Sequence, residues 1–203
     1  VWADLLDDGT PYTIFEYVEG VDVNDYIQKK CMTLEKSLRI LEDTAKGLAH
    51  LHRHGIYHQD IKPANLLMAR NCVKIIDFNI AVSHKTAGPV GYTREYLPPD
   101  YSPAKTHTPA VMVDRDIYAL GVTFYECVTQ GRHPYAQKSG QPTDPREYAP
   151  HLSEELASFI RRVVAPVRKQ RFRTTEQLLN ELRRVRFYRS DHHTAHSSFI
   201  KTL

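Results

Sequence analysis

The chain has 203 residues, of which 41% are hydrophobic and 25% charged, and its formal net charge is +3. These values are typical of a soluble globular domain, and the small net charge argues against a nucleic-acid-binding protein. Three scattered cysteines without Cys-x-x-Cys spacing argue against a disulfide framework or a zinc site and predict a reducing, cytoplasmic location. With no signal peptide and no apolar run near the roughly 20 residues that span a bilayer, we expect no membrane association.

The first third of the chain predicts two strands followed by helices. The strand-like runs are "VWADLL" (1–6) and "PYTIFEYV" (11–18), and "VNDYIQKK" after Gly20 reads as a short helix. A long amphipathic helix is predicted from Leu34 to His54, because its apolar residues recur every three or four positions. Thr33 is placed to cap its start, and Gly55 suits a left-handed C-cap.

The remainder predicts a short hairpin, a long loop and three helices. "NLLMA" and "VKIID" read as strands joined at Arg70 and Asn71, and residues 79–113 read as an irregular, functional loop. A buried helix is predicted over "DRDIYALGVTFYECVTQG" (114–131), and Ser153 caps the next one. The last helix is predicted to begin at Thr174, with Gln177 completing a capping box. A little β structure followed by mostly α structure predicts an α+β fold.

Four polar residues have the chemistry that phosphoryl transfer needs. "HQDIKPAN" supplies a carboxylate at Asp60, a cation at Lys62 and an amide at Asn65, and "IIDFN" supplies a second carboxylate at Asp77. Phosphoryl transfer uses a carboxylate to orient the attacking hydroxyl, a positive charge at the phosphate and oxygen ligands for Mg²⁺. Two surface loops with ordinary polar residues are the competing interpretation.

With these motifs in this order, the sequence resembles the protein kinase family, in particular its bacterial serine/threonine members. "HQDIKPAN" corresponds to the family's H-R-D-x-K-x-x-N, "DFN" to D-F-G, "YTREYLPPD" to the end of the activation segment, and "DIYALG" to the central-helix signature. The resemblance implies the C-terminal lobe of a kinase, mainly α-helical, with two N-terminal hinge strands and a short β-hairpin carrying the catalytic loop.

The resemblance also implies a role for each matching position. ATP and Mg²⁺ are the implied cofactors and a protein is the implied substrate. Asp60 would be the catalytic base, with Lys62 at the γ-phosphate and with Asn65 and Asp77 holding the metal. The implied nucleotide contacts are Glu16 and Val18 through their backbones, Asp22 at the ribose, and Leu67 under the adenine. Thr93 would shape the substrate pocket, Asp116 would hold the catalytic loop, and Asp100 would form a buried ion pair with Arg171.

Two substitutions and one absence depart from the family pattern. Gln59 replaces an arginine that clamps a phosphorylated loop in many kinases, so loop phosphorylation should matter less here. Asn79 replaces the glycine of D-F-G, and we interpret it as a stiffer hinge with an intact metal site. The Gly-rich loop, strand lysine and helix glutamate of the small lobe do not precede Val1, so we expect upstream chain or a partner to supply them.

These considerations predict a remnant of the small lobe and hinge at 1–20, a large lobe at 21–187 and a polar tail at 188–203. The isolated chain is expected to be weak or inactive. A pseudokinase acting as a binding module is the alternative, favoured by the absent small-lobe elements and by Gln59 and Asn79. An antibiotic phosphotransferase shares part of the loop motif, but "YLPPD" suggests a peptide-docking segment that small substrates do not need.

Overall fold

A computed structural model describes residues 2–78, 80–83, 92–102, 108–137 and 139–185. Five helices lie in this part of the chain: α1 (Val23–Gln28), α2 (Leu34–Arg53), α3 (Pro109–Val128), α4 (Glu154–Val163) and α5 (175–185). Its strands are β1 (Trp2–Leu5), β2 (Pro11–Ile14), β3 (Gly20–Asp22), β4 (Ile56–Tyr57), β5 (Leu66–Ala69), β6 (Val73–Ile75) and β7 (Val82–Ser83). Among the described helices, none is both long and apolar enough to cross a membrane.

The strands form three small antiparallel sheets. β1 pairs with β2, β4 pairs with β7, and the third sheet has the order β3-β5-β6. In this third sheet Asp22 lies opposite Leu67, and Leu67 lies opposite Lys74 on the other side. The sheet therefore joins the start of α1 to the β5–β6 hairpin.

Helix α3 is the centre of the core. Fifteen of its 20 residues are buried, and the main apolar cluster joins it to α2, α4 and α5. Ile117, Leu120 and Phe124 are fully enclosed in this cluster, and burying each such side chain contributes about 1.5–3 kcal/mol. A helix that is apolar on all sides is stable only when other elements surround it, as they do here.

The helix ends follow local capping rules. Thr33 Oγ1 accepts from Lys36 N at 3.2 Å, Gly55 has a φ of 69°, and Ser153 Oγ accepts from Leu156 N at 3.2 Å. At α5, Thr174 Oγ1 accepts from Gln177 N at 3.2 Å, while Gln177 Oε1 accepts from the N–H of Arg173, one residue before the cap.

Two sequence predictions about these elements were wrong, and the strands β3, β4 and β7 were missed. The second strand ends at Ile14, not Val18, because its pairing with β1 runs out where Trp2 meets Ile14. Helix α3 begins at Pro109, five residues earlier than predicted, because Thr108 accepts from Val111 N and proline suits the first helical position. β3 was not predicted, since it forms only through pairing with a distant strand. The predicted polar tail and Asn79 lie outside the described residues.

Candidate active site

The loop before β5 is attached to the core by the buried carboxylate of Asp116. Asp116, on α3, has no exposed surface, and it accepts the backbone N–H of His58 at 3.0 Å and that of Gln59 at 2.7 Å. His52 Nε2, on α2, lies 2.9 Å from the same carboxylate. Two consecutive backbone donors therefore anchor the loop to α3, the buried central helix of the core.

The uncharged side chain of His58 connects the segment that carries Asp60 to the segment that follows β6. Its Nε2 donates to the carbonyl of Ile76 at 3.1 Å, so its Nδ1 is free to accept the N–H of Asp60 at 3.3 Å. Burial lowers the pKa of His58, which favours this uncharged form, although Asp116, Asp60 and Asp77 each oppose the shift. Asp60 and Asp77 thus both lie within electrostatic range of one imidazole.

The carboxylate of Asp60 is fixed by three neighbouring side chains. Thr93 Oγ1 donates to Oδ1 at 2.6 Å, and Lys62 Nζ lies 2.7 Å from Oδ2. Asn65 Nδ2 donates to the backbone oxygen of Asp60 at 2.8 Å and to its Oδ2 at 3.0 Å. Lys62 Nζ also donates to Thr93 Oγ1 at 3.0 Å, which closes a ring of contacts.

The surroundings of Asp60 keep it ionised. Its partial burial opposes ionisation, but the hydrogen bonds from Lys62, Thr93 and Asn65 outweigh this and hold the pKa of Asp60 below its usual range. A carboxylate of low pKa is a weak base. Because three side chains hold this one in place, it is nevertheless a well-oriented hydrogen-bond acceptor. The arrangement can therefore align an incoming hydroxyl and accept its proton late in a reaction.

Asp77 lies two residues beyond β6, at the end of the hairpin where β5 begins. The N–H of Ile76 donates to the carbonyl of Asn65 at 3.0 Å, which places Asp77 next to the Asn65 end of β5. Asp77 is exposed and has a φ of 62°. Non-glycine residues in this left-handed region are uncommon and concentrate at functional sites.

Asn65 and Asp77 fit the requirements of Mg²⁺. Because Asn65 directs its amide nitrogen at Asp60, its amide oxygen points away from that carboxylate. Within the described ranges, no three His, Cys, Asp or Glu side chains form a metal cluster. Mg²⁺ is commonly held by one or two protein oxygens together with water and substrate phosphates, so Asn65 and Asp77 are a suitable donor set.

Of the four residues predicted to contact a nucleotide, Asp22 and Leu67 lie in the third sheet and the other two lie in the coil that precedes it. Asp22 and Leu67 are register partners, and Glu16 Oε2 lies 3.7 Å from Lys74 Nζ on the next strand. Glu16 is exposed and Val18 partly exposed, in the coil between β2 and β3. Asp22 Oδ1 accepts from Asn24 N at 2.7 Å, so this carboxylate also caps α1, and burial raises its pKa.

The ion pair expected between Asp100 and Arg171 has a third member. Arg171 Nη2 donates to Asp100 Oδ1 at 2.7 Å, but Arg171 also makes two hydrogen bonds of 2.9 Å with Asp114. The side chain of Arg171 is fully buried and that of Asp114 9% exposed, whereas that of Asp100 is 35% exposed. Sequence analysis missed Asp114. The only sign of its role in the sequence is that it is acidic and lies two positions before Asp116.

Gln59 points into the protein and not toward the surface. It is buried, and its Nε2 donates to the carbonyl of Met112 at 3.0 Å and to Asp116 Oδ1 at 3.1 Å. Its φ of 68° is again left-handed. The side chain therefore reinforces the attachment of the loop to α3.

Comparison with known proteins agrees with this geometry. Residues 4–182 match the family described as protein kinase domain. The chain is 30% identical over 195 residues to serine/threonine-protein kinase PknB of Mycobacterium tuberculosis, covering 86% of this chain and 30% of the relative. It is 31% identical over 199 residues to serine/threonine-protein kinase PksC of Streptomyces coelicolor, covering 87% and 35% respectively. The chain thus spans about a third of the length of these curated relatives. By its motifs, its fold and these matches, the chain belongs to the protein kinase family.

Proposed function

We propose that this chain forms the larger part of the catalytic domain of a serine/threonine protein kinase, which transfers a phosphoryl group from Mg-ATP to a protein hydroxyl. The observation that carries the proposal is the carboxylate of Asp60, fixed by Thr93, Lys62 and Asn65 at distances of 2.6–3.0 Å. Such a preorganised acceptor lowers the cost of aligning the hydroxyl for in-line attack.

In the proposed reaction, the substrate hydroxyl donates its hydrogen bond to Asp60. Its oxygen forms a bond to the γ-phosphorus while the bond between that phosphorus and the β–γ bridging oxygen breaks, releasing ADP. The hydroxyl proton passes to Asp60. Lys62, whose Nζ lies 2.7 Å from Asp60, provides positive charge beside the transferring group.

Asn65 and Asp77 are the residues that would hold Mg²⁺. When bound, the ion neutralises phosphate charge and orients the γ-phosphoryl group. Asn65 also donates a hydrogen bond to the carboxylate of Asp60, so its side chain would link the catalytic base to the metal site. This link supports a single reaction centre, formed by the segment that precedes β5 and the segment that follows β6.

The nucleotide is proposed to lie against the β3-β5-β6 sheet. The backbone of Glu16 and Val18 would contact the adenine edge, Asp22 the ribose and Leu67 the adenine face. The pairing of Asp22 with Leu67 and the approach of Glu16 to Lys74 support this placement, because they bring three of these residues to one sheet.

The division of the domain is part of the proposal. Residues 1–20 would belong to the small lobe and hinge, 21–187 to the large lobe and 188–203 to a polar tail. Exposed apolar side chains at Leu5, Ile14 and Phe15 support contact with further protein that covers the nucleotide, from the same polypeptide or a partner.

Phosphate transfer by the full polypeptide that contains this chain tests the proposal. With labelled ATP and a mixed protein substrate, we expect label on serine and threonine. Asp60→Asn should lower kcat by roughly 10²-fold or more, with little change in the KM for ATP, because a positioned base contributes this much to rate.

Asp25→Asn is the matched control, since Asp25 is an exposed carboxylate that pairs with Lys29 on α1. It should retain the parent rate. A parent protein that binds ATP yet transfers no phosphate would overturn the proposal and favour a pseudokinase.

A further inference from the structure

Two adjoining clefts lie on the side of the molecule where α3 begins and α5 packs. The first has a volume of about 670 Å³, and Tyr101, Arg115 and Arg168 are among its lining residues. The second has a volume of about 520 Å³ and includes Arg162 and Arg184. Both are lined by Lys169, Phe172 and Arg173, so they form one continuous depression. We term the two clefts together the basic groove.

Positive charge is concentrated in the basic groove. Seven cationic side chains and three carboxylates line it, an excess of four, whereas the whole chain carries a net charge of +3. All three carboxylates already have partners: Asp100 and Asp114 bind Arg171, and Glu181 lies 3.1 Å from Arg184. Lys169 and Arg173 are exposed, and neither has an ion-pair partner among the described residues.

Arg115 adds a buried positive charge at the inner wall of the groove. The residue is only 2% exposed, and none of its three guanidinium nitrogens has a hydrogen-bond partner among the residues that the structure describes. The ring of Tyr101 lies 5.0 Å from the guanidinium carbon, and burial lowers the pKa of Arg115. Asp116 supplies some opposing negative charge, but burying a charged group that makes no hydrogen bonds destabilises a protein, and an anion bound nearby would offset part of this cost.

The groove also has an apolar floor. Apart from its charged rim, the first cleft is lined by carbon-rich side chains that include Tyr101, Val111, Val167 and Phe172. Val167 is 48% exposed there. A concave apolar surface surrounded by a few charged groups suits one anchoring side chain flanked by residues of opposite charge.

The parts of this chain that lie outside the described residues do not match this surface. Residues 186–203 contain three Lys and Arg but one Asp, and segments 84–91 and 103–107 each contain one lysine and no acidic residue. A nucleic acid is a poorer match than a peptide, because Phe172 is buried and the ring of Tyr101 already lies against the guanidinium of Arg115, so neither favours base stacking. The surface therefore favours an acidic polypeptide from another protein.

We propose that the basic groove binds an extended acidic peptide segment with an aromatic or aliphatic anchor, supplied by a substrate or partner protein. The carboxylates of the segment lie along Lys169, Arg173 and Arg162, and its anchor fills the first cleft. This docking function is separate from phosphate transfer, and it takes place without nucleotide.

Fluorescence polarisation of a labelled peptide tests the proposal with the intact chain in the absence of ATP. The probe is a peptide of glutamates around two phenylalanines, compared with the same peptide carrying glutamine for glutamate and with a thymidine oligonucleotide of equal length. We expect the acidic peptide to bind, and the glutamine peptide and the Lys169→Glu/Arg173→Glu double variant each to weaken binding roughly tenfold or more.

The matched control is Arg70→Glu, which reverses an exposed charge in the β5–β6 turn, away from the lining of the groove. It should bind the peptide as the parent does. If Arg70→Glu weakens binding as much as the double variant, or if the oligonucleotide binds more tightly than the peptide, the proposal is wrong.

Arg115→Met provides a second, independent test. Removing a buried charge that makes no hydrogen bonds with the described residues should raise the melting temperature of the free protein, yet it should weaken binding of the acidic peptide, because the groove loses a positive charge. A lower melting temperature together with unchanged peptide affinity would overturn the role of Arg115. Because no ATP is present, these results do not depend on whether the chain transfers phosphate.

Discussion

Arg171 is held by two carboxylates that differ in their surroundings. Asp114 receives two hydrogen bonds and its side chain is 9% exposed, whereas Asp100 receives one from the guanidinium and its side chain is 35% exposed. Burial opposes ionisation of Asp100, but the bond from Arg171 and the N–H of Arg168 keep its pKa below the usual range. The less exposed partner should therefore contribute more to stability.

We predict that Asp114→Asn lowers the free energy of unfolding by about 3–5 kcal/mol, because it leaves the buried guanidinium without its main counter-ion. Asp100→Asn should cost only about 1 kcal/mol, since water can replace its contacts in part. Urea unfolding followed by circular dichroism at neutral pH measures both. A larger loss for Asp100→Asn would show that the more exposed carboxylate is the main partner.

Glu126 on α3 predicts a pH dependence of stability. Burial raises its pKa from 4.5 to about 7, even though the hydroxyl of Tyr96 donates to it at 2.7 Å. Between these two values the folded protein binds a proton that the unfolded chain releases, so this contribution to stability is full at low pH and is lost as the pH rises toward 7.

Glu126→Gln should remove this contribution. We expect the melting temperature of the variant, relative to the parent, to rise between pH 5 and pH 8 by scanning calorimetry. Asp60 and Asp100 have lowered pKa values and act with the opposite sign, but only in the more acidic range. A constant difference between parent and variant over that interval would contradict the raised pKa of Glu126.

At the scale of elements, α3 and α4 are in close contact at Gly121. A Cβ at this position would clash with the side chain of Val163, lying 3.1 Å from its Cβ and 3.1 Å from Val164 Cγ1. Both valines are buried. Glycine is therefore required here by helix packing and not by backbone conformation.

We predict that Gly121→Ala lowers the free energy of unfolding by about 1–3 kcal/mol, the usual cost of overpacking a core. Gly47→Ala on α2 is the matched control. Its new methyl would lie 3.0 Å from Ile75 Cδ1, the free end of a flexible side chain, so we expect a neutral or slightly stabilising change. Chemical denaturation distinguishes the two, and equal effects would show that α3 and α4 can move apart easily.

Elements whose signals are local were predictable from sequence. Helix α2 could be placed from its apolar period and from Thr33 and Gly55, because both ends are determined by neighbouring residues. The start of α3 was placed too late, since the Thr108–Pro109 signal lay inside a segment read as loop. β3 was missed because its pairing with β5 joins residues more than forty positions apart.

At the scale of the whole molecule, the order of the motifs indicated which polar residues to consider, but not their contacts. Asp60, Lys62 and Asn65 are close in sequence, so their proximity could be anticipated. The bond from Thr93 to Asp60 joins residues 33 positions apart, and that from Arg171 to Asp114 joins residues 57 apart. Such contacts depend on how the helices pack against each other. The composition of the chain and the periodicity of its apolar residues carry little information about this packing.

Asp116 shows how the whole fold supports the site. It joins His52 of α2, the backbone of His58 and Gln59, and α3 through one carboxylate with no exposed surface. The loop that carries Asp60 is therefore attached to the two longest helices, α2 and α3. Placing a reactive group on rigid elements keeps its geometry within the narrow tolerance that catalysis needs.

The pairing of the first two strands has a practical consequence. Among the described sheets, β1 and β2 pair only with each other. Circular dichroism in the far ultraviolet reports mainly on the helices around α3, whereas exchange of backbone amide hydrogens can be followed separately in β1 and β2. Only coincidence of the two signals would show that the hairpin and the helical body unfold as one cooperative unit.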